Sequence, residues 1–222
     1  MKRNYLCQPI DSCRTCVSIG PPGAGKSFIM LNCLYEWLEY GMFDEYILIL
    51  PTYGIEQNSS YDFLKNYKNV TIYTGYHPKI AERIITQQKK DVKHKNKIFV
   101  GIDDSTQETA LFKDPALVEI ATCSRHLNIH LWLIMHSAKG VIPTKVRNQM
   151  AYIFLYSISP PLLEVSYKEY VSHPDFKRFR DFEEYWYEEI EPLEHGVLLL
   201  DKLHKDYDEV HKWFDSLPGK NN

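Results

Sequence analysis

Eight consecutive residues, Gly20-Pro21-Pro22-Gly23-Ala24-Gly25-Lys26-Ser27, fill every position of the pattern G-x-x-x-x-G-K-[ST]. The glycines let the backbone curl until successive N–H groups face a phosphate, and a helix starting at the Lys adds partial positive charge. In such a loop Lys26 is the contact for the β- and γ-phosphates, and the Ser27 hydroxyl is a ligand for Mg²⁺. The ligands implied are ATP and Mg²⁺. The pattern is informative because its context is also right: an apolar run, Cys16 to Ile19, precedes it, and helical spacing follows.

A second cluster lies at Asp103-Asp104, directly after the apolar run Ile98 to Ile102. Parallel α/β sheets bind ligands at the C-terminal ends of their strands, the edge at which the phosphate loop also opens. Asp103 is therefore expected to hold Mg²⁺ through water, and Asp104 to orient or deprotonate the attacking water. A small-molecule kinase delivers the phosphoryl group to a bound hydroxyl and needs no acid directly after the metal-binding Asp. Two adjacent acids favour hydrolysis. The plain alternative is a solvated turn, for which Asp-Asp-Ser is good chemistry.

These groups need a scaffold, and β-rich runs alternate with helical stretches along the chain. Strands are expected at Cys16–Ile19, Tyr46–Leu50, Val70–Tyr73, Ile98–Ile102, Ile129–Met135, Tyr152–Tyr156 and Val197–Leu200. Helices are expected at Lys26–Tyr40 and His77–Lys90, with some breaks over Thr106–Thr122, in two pieces over Pro161–Ile190, and at Tyr207–Leu217. This order predicts an α/β fold with a mainly parallel central sheet flanked by helices. A chain of 222 residues suits one domain, with a core over about 15–156 and residues 157–222 as a helical and strand extension of it.

Further segments resemble a known group. Tyr46-Ile47-Leu48-Ile49-Leu50-Pro51-Thr52-Tyr53, Ser124-Arg125-His126-Leu127-Asn128-Ile129, and Ile142-Pro143 with Val146-Arg147-Asn148 are similar to segments of viral genome-packaging ATPases. These are the enzymes of poxviruses, other nucleocytoplasmic large DNA viruses and virophages, within the FtsK–HerA P-loop superfamily. The resemblance covers roughly Thr15 to Tyr156. It implies an additional-strand P-loop NTPase in which Ile129–Met135 lies between the phosphate-loop strand and the Asp103 strand. His136 would then face the γ-phosphate where the family usually carries Gln; imidazole can donate and accept as an amide does, but changes charge near neutral pH. The resemblance also implies an arginine finger reaching a neighbouring subunit's nucleotide, with Arg125 preferred and Arg147 the other candidate.

The resemblance further implies a translocase that drives double-stranded DNA into a viral capsid through a vertex, as a homo-oligomeric ring of five or six subunits. Its place would be the cytoplasmic assembly site of an infected host cell, and the virion. Lys93 and Lys95 in the basic run Lys89–Lys97, and Lys139, Lys145 and Arg147, are possible DNA contacts, since cations serve a phosphate backbone without reading sequence. The rival readings are another FtsK–HerA-type DNA-pumping or assembly ATPase, a slow nucleotide-gated adaptor, and a P-loop kinase.

Composition sets the outer limits. With 44% hydrophobic and 25% charged residues the chain reads as globular, and a net charge of −3 does not advertise nucleic-acid binding, although a ring needs only a few positive pore residues. No apolar stretch approaches the ~20 residues that span a bilayer, and the polar residues after Met1-Lys2-Arg3 do not read as a signal peptide. The five cysteines form no disulfide framework; Cys13 and Cys16 with Cys7 lack an obvious fourth zinc ligand, so reduced structural thiols are expected.

Overall fold

Alternation along each strand decides which side chains meet which helices. The computed structural model describes residues 12–51, 53, 60–90, 96–103, 111–136, 142–193, 195–203 and 206–209. The first strand, β1 (Thr15–Ile19), is buried throughout. Its Cys16 joins one core cluster, and Val17 and Ile19 join another on the opposite face. Both faces of the sheet are thus covered, which is why the strands read as continuous apolar runs.

Helix α1 (Lys26–Glu39) covers the first face with Ile29, Met30, Cys33, Leu34, Trp37 and Leu38, the i, i+3, i+4 pattern of an amphipathic helix. Tyr40 caps it, and Gly41 follows with φ 61°. Trp37 is fully buried among rings of Phe43, Phe99, His130 and Trp132, with centroids 5.4–5.9 Å away. The opposite face is aliphatic: Ile47, Ile49, Val100, Ile102, Leu131 and Leu133 pack with Ile80, Ile84, Leu117 and Ala121. These last four come from α2 (Pro78–Lys90) and α3 (Pro115–Leu127).

The remaining strands are β2 (Glu45–Ile49), β3 (Val70–Tyr73), β4 (Ile98–Ile102), β5 (Ile129–Met135), β6 (Met150–Tyr156), β7 (Val197–Asp201) and β8 (Asp206–Glu209). Their order across one sheet is β3-β2-β4-β5-β1-β6-β7-β8. All pairs from β3 to β6 are parallel, whereas β7 runs antiparallel to both β6 and β8. The fold is α/β with a mainly parallel sheet, and β5 does separate the phosphate-loop strand from the Asp103 strand. Short α4 (Thr144–Arg147) precedes β6, and α5 (Pro160–Tyr170) and α6 (Phe179–Tyr185) follow it. A π-helical turn, Trp186–Ile190, continues α6.

Two expectations need correction. The stretch expected to be helical with breaks over Thr106–Thr122 contains α3, which runs on to Leu127. Asp114 starts it by accepting the Ala116 N–H at 2.9 Å with Pro115 in the first turn, and Asn128 stops it with φ 56°. Residues 104–110 lie outside the described residues. The helix expected from Tyr207 begins instead as β8, because Asp206–Glu209 pairs with β7; residues 210–217 are outside the described residues.

Among the described residues no helix is long and apolar enough to cross a membrane, and no group of three or more His, Cys, Asp or Glu is placed to hold a metal. Among the described residues, Cys13, Cys16, Cys33 and Cys123 form no disulfide. Burial pushes Cys13 up to about 11 and raises Cys16 well above the ordinary thiol range; buried, protonated thiols are poor nucleophiles.

Candidate nucleotide-binding site

The phosphate loop grows out of β1, with β5 on one side and β6 on the other. Gly20 N–H donates to Met135 C=O at 3.2 Å, which ties the start of the loop to the end of β5. Gly25 precedes α1 with φ 87°, a left-handed conformation that disfavours side chains, and its C=O accepts from Ile29 N–H at 3.3 Å to open the helix. From below, the fully buried Tyr156 of β6 points its hydroxyl at Lys26 C=O, 3.5 Å away.

Lys26 is 5% exposed. Its Nζ donates to Gly20 C=O at 2.8 Å and Pro21 C=O at 2.7 Å, and meets His136 Nδ1 at 3.3 Å. An ammonium has protons to give and no lone pair, so His136 Nδ1 is the acceptor in this contact. Two residues singled out in the sequence, the phosphate-loop Lys and the His directly after β5, are thereby brought together. A phosphate entering the loop would compete with the two carbonyls for the same ammonium protons.

Asp103 is 6% exposed at the end of β4, and its N–H donates to Ile49 C=O at 3.0 Å. Its Oδ2 accepts from the hydroxyl of buried Tyr61. No pattern in the sequence points to Tyr61; the pairing is made only when β2 and β4 lie side by side. Two strand spacings, about 10 Å, separate the β1 and β4 axes. The donors on either side of that gap, the Ser27 hydroxyl and the Asp103 carboxylate, are hard oxygens of the kind Mg²⁺ takes with water in its remaining positions. Asp104 lies outside the described residues.

A further residue comes to the loop from far along the chain. His195, in the connection before β7, places Nδ1 4.0 Å from the point that a Cβ on Gly25 would occupy. Because β7 is antiparallel to β6, its beginning returns to the edge at which β6 ends. The strand order would have predicted this approach only if the direction of β7 had been known.

Arg125 is at the other edge of the sheet. It sits in the last turn of α3, before β5 begins. The seven residues of β5 separate it from its own phosphate loop by about 20 Å at ~3.3 Å per residue. It lines a cleft of about 330 Å³ together with Arg14, His126 and Lys202, and no carboxylate is among the described residues that line it. Arg14 Nε is buried without a hydrogen-bond partner among the described residues. Lys202 Nζ donates to Arg147 C=O at 3.2 Å, and burial, followed by the Arg147 charge, holds its pKa below the ordinary lysine value.

Arg147 is engaged internally. It pairs with Glu169 at 3.2 Å and donates to Ile142 C=O at 3.0 Å and Thr144 Oγ1 at 3.1 Å. Lys145 is exposed beside it on α4. Lys93, Lys95 and Lys139 lie outside the described residues.

No protein-family model matches the sequence, and neither does any curated protein. Solved structures do match. The DNA-packaging ATPase B204 from Sulfolobus turreted icosahedral virus aligns over 91% of this chain and 98% of its own, with TM-score 0.62 and 17% identity. The genome-packaging NTPase B204 from Sulfolobus turreted icosahedral virus 2, in complex with ATP-γ-S, aligns over 90% of this chain and 97% of its own, with TM-score 0.61 and 16% identity. The cytoplasmic domain of the type VII secretion ATPase EccC from Thermomonospora curvata aligns over 88% of this chain but 24% of its own, with TM-score 0.56 and 12% identity. The fold, with β5 inserted beside the phosphate-loop strand, is the one found in viral genome-packaging NTPases.

Proposed function

We propose that this chain is an ATPase that drives double-stranded DNA into a viral capsid. The observation that carries the reading is end-to-end correspondence with packaging NTPases, 97–98% of whose length is matched, around a complete phosphate loop. The secretion ATPases share the fold as parts of much longer chains.

In this reading the loop N–H groups and Lys26 hold the triphosphate, and Ser27 and Asp103 hold Mg²⁺, which supplies charge neutralisation at the phosphates. Tyr61 positions the Asp103 carboxylate. Asp104 orients or deprotonates the attacking water. His136 senses the γ-phosphate through its own imidazole and through the ammonium of Lys26 that it touches. Arg125 is too far from its own loop to act there, which supports a role in trans. The ring, of five or six copies, would set the cleft of one subunit against the nucleotide of the next, and dock at a capsid vertex in the infected cell's assembly site. Lys145, with Lys93, Lys95 and Lys139, is proposed for the DNA path. Arg147, held by Glu169, is assigned to bracing α4 rather than to the finger.

Steady-state ATP hydrolysis across protein concentration, with and without double-stranded DNA, tests this. Turnover that rises more steeply than linearly with protein and is stimulated by DNA is the expected result. Turnover linear in protein and indifferent to DNA would favour a timer or kinase instead.

A further inference from the structure

The order of strands gives the phosphate loop a direction. Lys26 turns its ammonium to His136 at the end of β5, and Asp103 stands beyond it at the end of β4. The terminal phosphates of a bound nucleotide belong on that side of β1. The nucleoside must then leave the loop on the other side, over β6 and β7.

His195 stands on that side. The chain reaches it through the π-helical turn, whose Trp186 and Ile190 are fully buried, and then through successive tight turns. Glu191 N–H donates to Trp186 C=O at 2.9 Å, Leu193 N–H to Ile190 C=O at 3.3 Å, and Gly196 N–H to Leu193 C=O at 3.2 Å. Gly196 is pressed so closely on the turn that a Cβ there would lie 2.0 Å from Ile190 O. No other residue type fits without moving the turn. His195 itself is exposed, two residues before a strand that is buried along its whole length. An exposed imidazole is thus held over Gly25 by a buried anchor on each side.

We propose that His195 contacts the nucleoside half of the bound nucleotide, and that it makes the site prefer a nucleoside triphosphate over a bare polyphosphate chain. Imidazole can hydrogen-bond a ribose hydroxyl or a base edge and can lie against a base. The assignment rests on the nucleotide-binding reading above, and the test separates the two.

Calorimetric titration of the full chain with ATP and with inorganic tripolyphosphate, each with Mg²⁺, gives both affinities. His195→Ala should weaken ATP about tenfold, the loss expected of one side-chain contact, and leave tripolyphosphate unchanged. Gly196→Ala should produce the same selective loss by displacing the turn; because it strains a buried position, its thermal midpoint is measured alongside. ATP affinity unchanged in His195→Ala, or ATP and tripolyphosphate weakened equally, would overturn the proposal while leaving the nucleotide site intact. Wild-type chain binding neither ligand, or Lys26→Ala binding both normally, would remove the nucleotide reading itself.

Discussion

The two edges of the sheet treat their cations in opposite ways. At the phosphate-loop edge, Lys26 is buried and finds three neutral acceptors within its own subunit. At the other edge, Arg14, Arg125 and Lys202 share a cleft with no carboxylate among its described lining residues, and Arg14 Nε has no acceptor among the described residues. A cation that has internal acceptors is already positioned for a ligand that will replace them. Cations gathered in one cleft repel one another, and an anion from outside relieves that repulsion. On the reading proposed above, the first edge holds a phosphate of its own and the second receives an anionic group from a neighbouring molecule.

The comparison can be broken at either edge. The largest effect is expected for Arg125→Ala: turnover should fall on the order of 10³-fold, as for other trans-acting arginines, while ATP affinity stays within about twofold by equilibrium titration. Normal turnover would remove Arg125 as the finger. Lys26→Ala should do the reverse, with ATP affinity falling about 100-fold through loss of a charge-assisted contact, visible in the same titration. If the two variants gave the same profile, the division of labour between edges would be wrong.

Tyr61→Phe sharpens the picture at the first edge alone. Freed of the phenolic hydrogen bond, Asp103 should hold Mg²⁺ less well, so that turnover falls about tenfold at limiting Mg²⁺ and recovers when Mg²⁺ is raised. A lowered thermal midpoint with no change in Mg²⁺ dependence would make Tyr61 a packing residue only.

The smallest expected effect falls on both edges together, because it acts through β5. His130 is fully buried among Trp37, Phe43 and Phe99, and burial, with lesser repulsion from Lys97 and Arg14, lowers its pKa to about 3 from 6.5. The unfolded chain therefore binds a proton that the folded chain refuses. That contribution to stability is complete above pH 6.5 and is lost as pH falls towards 3, amounting to about 1 kcal/mol by pH 5.5. Chemical denaturation at pH 7.5 and 5.5 should show this slope in the wild type and not in His130→Phe. An equal slope in both would place the acid sensitivity elsewhere.

What could be read in advance depended on how local the cause was. The phosphate loop obeys a requirement met within eight residues, and β5 announces itself as Ile129–Met135 because both its faces are buried. β8 is polar, Asp206–Glu209, and exists only through pairing with β7, so helical propensity in the same stretch misled. The start of α3 is legible in Asp114-Pro115, an N-cap and first-turn pair. Tyr61 on Asp103 joins positions 42 residues apart, and His195 over Gly25 requires β7 to run backwards. Such contacts leave no mark on local periodicity.

That reversed strand has a mechanical meaning. β7 begins one residue after Gly196 and ends at Asp201, beside Lys202 of the basic cleft. Its five residues are buried and all pair with β6, and Leu198 to Asp201 pair also with β8, which stiffens the strand along its length. A push on the turns at one end is a push on the cleft at the other. In the ring proposed above, whatever free energy a nucleotide passes along this rod to a neighbouring subunit, the neighbour must return in equal measure to the nucleotide.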